Sequence, residues 1–261
     1  MKKIPQITLA FWIIKICATT LGESGGDLLS MTLRLGYAVS ALILIGLLAI
    51  ALVSQLLSKT YHPSLYWSAI LLTSTAGTTM SDYMDRTLGL GYAKGSLILC
   101  TILLAIFVLW RFSTSSLSVQ HITTFKGELL FWAAILFSNT LGTALGDFLA
   151  SDSHLGFGGG VLFISGLLGL VTLATFFSTI SKTLLFWFAF VLTRPFGATM
   201  GDLLTKTKVQ GGLGFGTVGT SLILASITVI FILYTSRSLI SGKANAEDEN
   251  FFSRSSVQQK K

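Results

Sequence analysis

Charge is scarce in this chain: 11% of its 261 residues are Asp, Glu, Lys or Arg. A soluble domain of this length carries roughly a quarter. That deficit excludes an ordinary soluble enzyme and a disordered chain. Proline is also scarce, with three residues, and the three histidines, His62, His121 and His154, all lie in loops between the apolar runs. The two cysteines, Cys17 and Cys100, sit in apolar runs and read as reduced thiols. The formal net charge is +7, but the basic residues are scattered and form no stripe that could follow a phosphate backbone. Nucleic acid is therefore not a partner.

What the chain has instead is apolar length. Hydrophobic residues make up 52%, and mean hydropathy is +0.75. Apolar segments lie at 7–27, 36–57, 64–84, 92–111, 127–149, 158–180, 183–204 and 216–236. Each is near the roughly 20 residues that a membrane-spanning helix needs. The expected fold class is all-α transmembrane, with eight helices and the lipid bilayer as partner. The first segment is not read as a leader peptide: Lys15 interrupts it, no A-x-A site follows, and the segment recurs downstream.

The recurrence is strict. FWIIKICATTLGESGGD from Phe11, YWSAILLTSTAGTTMSD from Tyr66, FWAAILFSNTLGTALGD from Phe131 and FWFAFVLTRPFGATMGD from Phe186 align without a gap. Each places a Trp (Trp12, Trp67, Trp132, Trp187), a Gly ten residues later (Gly22, Gly77, Gly142, Gly197), then a small residue (Gly26, Ser81, Gly146, Gly201) and at once an Asp (Asp27, Asp82, Asp147, Asp202). Each repeat resumes after a loop at Leu-Gly-aromatic: Gly36-Tyr37, Gly91-Tyr92, Gly156-Phe157 and Gly214-Phe215. The units read as four helical hairpins of two spans. Having an even number of spans, all four point the same way about an axis normal to the membrane. The wider step between Trp67 and Trp132 groups them in pairs. Repeats one and two occupy 1–110, a polar cytoplasmic connector 111–125, repeats three and four 126–236, and a polar cytoplasmic tail 237–261.

This layout resembles a family of bacterial membrane proteins of unknown function, defined by four tandem repeats. In that family each repeat has two transmembrane segments and a characteristic tryptophan. The resemblance covers about residues 7–236. It implies an integral membrane protein, expected in the bacterial inner membrane, and carries no activity, so function has to come from the residues.

Lys and Arg choose the orientation. One face collects Lys2, Lys3, Lys59, Arg111, Lys126, Lys182, Arg237, Lys243, Arg254, Lys260 and Lys261. The other has Arg34, Arg86, Lys94, Lys206 and Lys208. This excess predicts that both termini are cytoplasmic. The Trp residues then begin the odd helices at the cytoplasmic interface, where aromatic belts occur. The Gly-x-x-x-small pairs read as close-packing surfaces.

On a helix, Trp and the positions 7, 11 and 15 residues beyond it share one face. Position 7 holds Thr19, Ser74, Asn139 and Arg194; position 11 holds Glu23, Thr78, Thr143 and Ala198; position 15 is the Asp. A polar stripe within a membrane must face protein or water. The four Asp are read either as a shared acidic vestibule or as pins for their own hairpins. Asp27 and Asp147 are expected to matter most for function, because Glu23 and Asn139 lie on the same stripes and add ligand oxygen, whereas Asp82 has Asp85 and Arg86 beside it and Asp202 has Lys206. Lys15, Glu23 and Arg194 break the symmetry, and charges inside a span mark function by default. A Glu23–Arg194 pair follows if the units close into a ring. Pro195 is expected to loosen its helix.

Carboxylate, hydroxyl and amide oxygens from Asp27, Asp82, Asp147, Asp202, Glu23, Asn139, Thr78 and Thr143 suit a hard cation such as Mg²⁺ or Mn²⁺, or a small cationic solute. No nucleotide motif is present. Gly214 to Gly219 is formally G-x-G-x-x-G, but no strand precedes it. No cofactor is expected, and no nucleophile–base pair supports an enzyme. The sequence therefore points first to a gradient-coupled transporter. A non-transporting scaffold, sensor or partner subunit is the alternative, and a lipid- or quinone-linked enzyme the third reading. No oligomeric state follows from these features.

Overall fold

Helix starts are set by local chemistry. The Thr8 hydroxyl accepts from the Phe11 amide, the Thr124 hydroxyl accepts from the Gly127 amide, and Pro63 opens its helix at a position where a missing N–H costs nothing. In a computed structural model describing residues 5–58, 60–114, 117–119, 122 and 124–236, the helices are α1 (Leu9–Asp27), α2 (Tyr37–Leu57), α3 (Pro63–Asp82), α4 (Tyr92–Ser113), α5 (Phe125–Asp147), α6 (Gly156–Phe177), α7 (Lys182–Thr205) and α8 (Thr217–Ser236). No strand occurs among the described residues. The tail 237–261, Lys2, Lys3, Lys59 and His121 lie outside them.

Each odd helix ends at its repeat Asp or just beyond. In the first three repeats the Asp is followed by one π-helical turn: Leu28–Thr32, Tyr83–Thr87 and Phe148–Asp152. The fourth repeat, with three extra loop residues, instead extends α7 to Thr205 and adds a short 3₁₀ turn at Lys208–Gln210. The chain then reverses at the repeat glycine. Gly36, Gly91, Gly156 and Gly214 have φ between 67° and 79°, a conformation that side chains with a Cβ rarely adopt.

The odd helices form the inside of the molecule. α1 packs on α3, α3 on α5, α5 on α7 and α7 on α1, closing a ring of four. The even helices lie outside it, and their arrangement departs from the simple hairpin expected from sequence. α2 packs along α3, α4 along α5 and α6 along α7, so each repeat lends its even helix to the next. α8 completes the pattern on α1, where Ser221 donates to Ser24 at 2.9 Å and Thr217 bonds Thr32 at 2.7 Å.

The outer faces are apolar and exposed, as at Leu42, Leu97, Leu162 and Leu222. Such a surface suits lipid and not water. Six helices (α2 and α4–α8) are long and apolar enough to cross a membrane; α1 and α3 are too polar by that measure. Polar residues on the face that points into the ring meet protein and not lipid, so α1 and α3 can carry Lys15, Glu23 and a run of Ser and Thr.

Candidate functional site

The bundle axis is a stack of layers, one from each aligned repeat position. Three of the four tryptophans, Trp67, Trp132 and Trp187, are buried, and Trp12 is partly so. They interlock edge to face with Phe11, Tyr66, Phe131 and Phe186. Trp110 of α4 joins them against Trp187. The Trp187 indole donates to the Leu117 carbonyl at 3.1 Å, tying the connector to this end. The interfacial aromatic belt expected from sequence is therefore corrected: these rings plug one end of the bundle. The physical reason is that the Trp lies on the same helix face as the Asp, and that face points inward.

One turn further in lie Lys15, Ile70, Ile135 and Phe190, all fully buried. The Lys15 ammonium sits 4.0 Å above the Phe190 ring and donates one long hydrogen bond, 3.5 Å, to Asn139 Oδ1. Asn139 in turn donates to Thr73 at 3.0 Å.

The next two layers hold the central ion pair. Arg194 is completely buried, with Nη1 3.1 Å from Glu23 Oε2. Its other donors reach the Ser74 carbonyl at 3.2 Å, Thr78 Oγ1 at 2.5 Å and Thr143 Oγ1 at 2.7 Å. Thr78 and Thr143 also donate to Glu23 Oε2, at 3.2 and 3.3 Å. One guanidinium thus touches all three other odd helices. α7 continues unbroken through Pro195, so the loosening expected there is not seen. Its proline ring packs beside Gly142, where neighbouring helices hold it.

Glycines make room for these layers. A Cβ on Gly22 would strike Ser74, one on Gly77 would strike Asn139 and Thr140, one on Gly142 would strike Arg194 and Pro195, and one on Gly197 would strike Thr19. In every case the position-7 residue of the next helix around the ring fills the notch. The second small position repeats the rule with position 11: Gly26 faces Thr78, Gly146 faces Ala198 and Gly201 faces Glu23.

The last layer is the Asp ring. All four carboxylates are buried, and they are held in two pairs by two cations. Arg86 lies 3.2 Å from Asp82 and 3.0 Å from Asp147, and donates to the hydroxyls of Tyr37 and Tyr92. Lys206 lies 3.1 Å from Asp202 and 2.5 Å from Asp27. Burial works against the Lys206 ammonium, but Asp202 and Asp27 outweigh it and hold its pKa above the ordinary range. The local cations expected for Asp82 and Asp202 are therefore shared with Asp147 and Asp27. The cation four residues beyond an Asp reaches its own carboxylate and, across the seam, that of the next repeat. Sequence spacing reveals only the first of these. Among the described residues, no three His, Cys, Asp or Glu side chains converge where a metal ion could be held.

A closed ring of four tandem two-helix repeats, sheathed in apolar helices and filled with charge, defines a polytopic membrane protein. The chain matches the Repeat of Unknown Function (DUF347) four times, at residues 10–61, 65–116, 130–181 and 185–240, and belongs to that family. No curated protein and no solved structure matches it.

Proposed function

We propose that this protein is a small secondary transporter of the inner membrane whose path is the bundle axis. The observation that carries the reading is the file of buried charges from Lys15 through Arg194 and Glu23 to the Asp ring. A bundle needing only to stand would fill its axis with apolar side chains, since each buried ion loses hydration worth several kcal/mol, of which pairing recovers only part. The cargo is a small cationic solute or a hard cation of the Mn²⁺ or Mg²⁺ type. It enters at the Asp end and competes with Lys206 and Arg86, then with Arg194, for carboxylate. No nucleotide motif accompanies the chain's repeats, so an ion or proton gradient supplies the energy. The Lys and Arg asymmetry supports both termini in the cytoplasm, with the aromatic plug on that side and the Asp ring on the other.

The test is uptake into proteoliposomes holding the full chain, under an imposed proton gradient, with Mn²⁺, Mg²⁺ and small organic ammonium ions as cargo. Gradient-dependent uptake of one class, lost in Glu23→Gln, is expected. Absence of uptake for every class would favour a second reading, a non-transporting scaffold or partner subunit. The tight fit of side chains into the glycine notches is the observation on that side.

A further inference from the structure

Counted by formal charge, the middle of the axis holds two basic side chains and one carboxylate. Lys15 and Arg194 are both fully buried, and Glu23, which pairs with Arg194, is the carboxylate at that depth. Among the described residues no carboxylate pairs with Lys15. An ammonium has three donors, and Lys15 spends one on a long hydrogen bond to Asn139 and faces the Phe190 ring. Two further groups in this region lack partners although fully buried: Arg194 Nε and the Ser74 hydroxyl. Arg194 Nη2 donates to the Ser74 carbonyl at 3.2 Å, while the Ser74 hydroxyl itself lies in the Gly22 notch between α1 and α3. Lys15 reaches the same layer through Asn139, which aligns with Ser74 and Arg194 in the repeat. Buried donors without acceptors are rare and call for an explanation, and an uncompensated buried charge is costlier still.

We propose that the layer bounded by Lys15, Ser74, Asn139 and Arg194 holds one small anion, of the size of chloride or formate, on the bundle axis. The anion accepts from Lys15 Nζ and Arg194 Nε and balances the surplus charge. The apolar layer of Ile70, Ile135 and Phe190 and the aromatic plug close the site on one side; the Glu23–Arg194 pair closes it on the other. A carrier with this site moves its cation beside a resident anion, or moves a solute bearing its own carboxylate. The site stands whether or not the protein transports anything.

The experiment uses the full chain in detergent at constant ionic strength, with gluconate replaced stepwise by chloride or by formate. Tryptophan fluorescence reads the unfolding temperature. A saturable rise with both anions is expected in the parent protein, and in Lys15→Arg. In Lys15→Met the half-saturating concentration rises at least tenfold. Chloride-35 line broadening that formate displaces gives the same answer on the parent protein, so the test survives if Lys15→Met does not fold. No rise and no displaceable broadening would overturn the proposal, with Lys15 then neutral. A rise that is unchanged in Lys15→Met would overturn it too, placing the anion elsewhere.

Discussion

The two ends of the same four helices are closed by opposite means. At one end Trp67, Trp132, Trp187 and their aromatic neighbours interlock by shape and dispersion. At the other, Arg86 and Lys206 hold four carboxylates in two pairs. An aromatic plug opens only if its rings are displaced bodily. An ion-pair clamp opens whenever a competing cation or a proton takes the carboxylate. On the transport reading proposed above, this asymmetry assigns the gate to the Asp end and the seal to the Trp end. The clamps also divide the ring. They cross the seams between α3 and α5 and between α7 and α1, whereas the seams α1–α3 and α5–α7 carry none.

The largest effect belongs to the glycine notches, which both ends depend on. Gly142→Leu must displace Arg194 and Pro195 from the centre, and detergent extraction should yield little monodisperse protein. Normal yield would mean that the ring can loosen at mid-height, and the contrast between its ends would lose its basis. Next comes the central pair. Glu23→Leu leaves Arg194 buried without a counter-charge and should destabilise by roughly 3–5 kcal/mol. Glu23→Leu combined with Arg194→Leu should recover most of that loss in thermal unfolding. Equal losses in the single and double variants would show that the pair is not what holds the middle.

The clamps should weigh less. Arg86→Gln or Lys206→Gln should each cost about 1–3 kcal/mol, as loss of charge-assisted bonds at a partly exposed end. Their effects should add to within about 0.5 kcal/mol, because the two clamps share no carboxylate. Strong non-additivity would join the four Asp into one electrostatic unit. Smallest of all, Leu162→Ala on the exposed face of α6 should shift stability by no more than about 0.5 kcal/mol.

Much of this arrangement was legible in the chain, and the residues show why. Four tandem units, eight helices and one inward stripe follow from repeated spacing, because a helix fixes which positions share a face. Glu23 could be matched with Arg194 once the units were set in a ring. Spacing does not say which neighbour a face meets. The lending of α2 to α3 therefore had no local signal, nor did the reach of Lys206 from Asp202 to Asp27. The tryptophans misled for a related reason. A Trp at a helix end suits a membrane interface, and only closure of the ring turns Trp67, Trp132 and Trp187 inward.

The most direct test of a gate at one end and a seal at the other is the access of water-borne thiol reagent to the axis. Ala198 lies in the Glu23 layer and is buried. Ala198→Cys, made with Cys17 and Cys100 changed to Ser, places a single thiol there. In oriented vesicles a membrane-impermeant methanethiosulfonate should modify it slowly. When Arg86→Gln and Lys206→Gln are added, modification from the Asp side should rise at least tenfold, with no change from the Trp side. Equal access from both sides, or a rate indifferent to the loss of both clamps, would contradict the account.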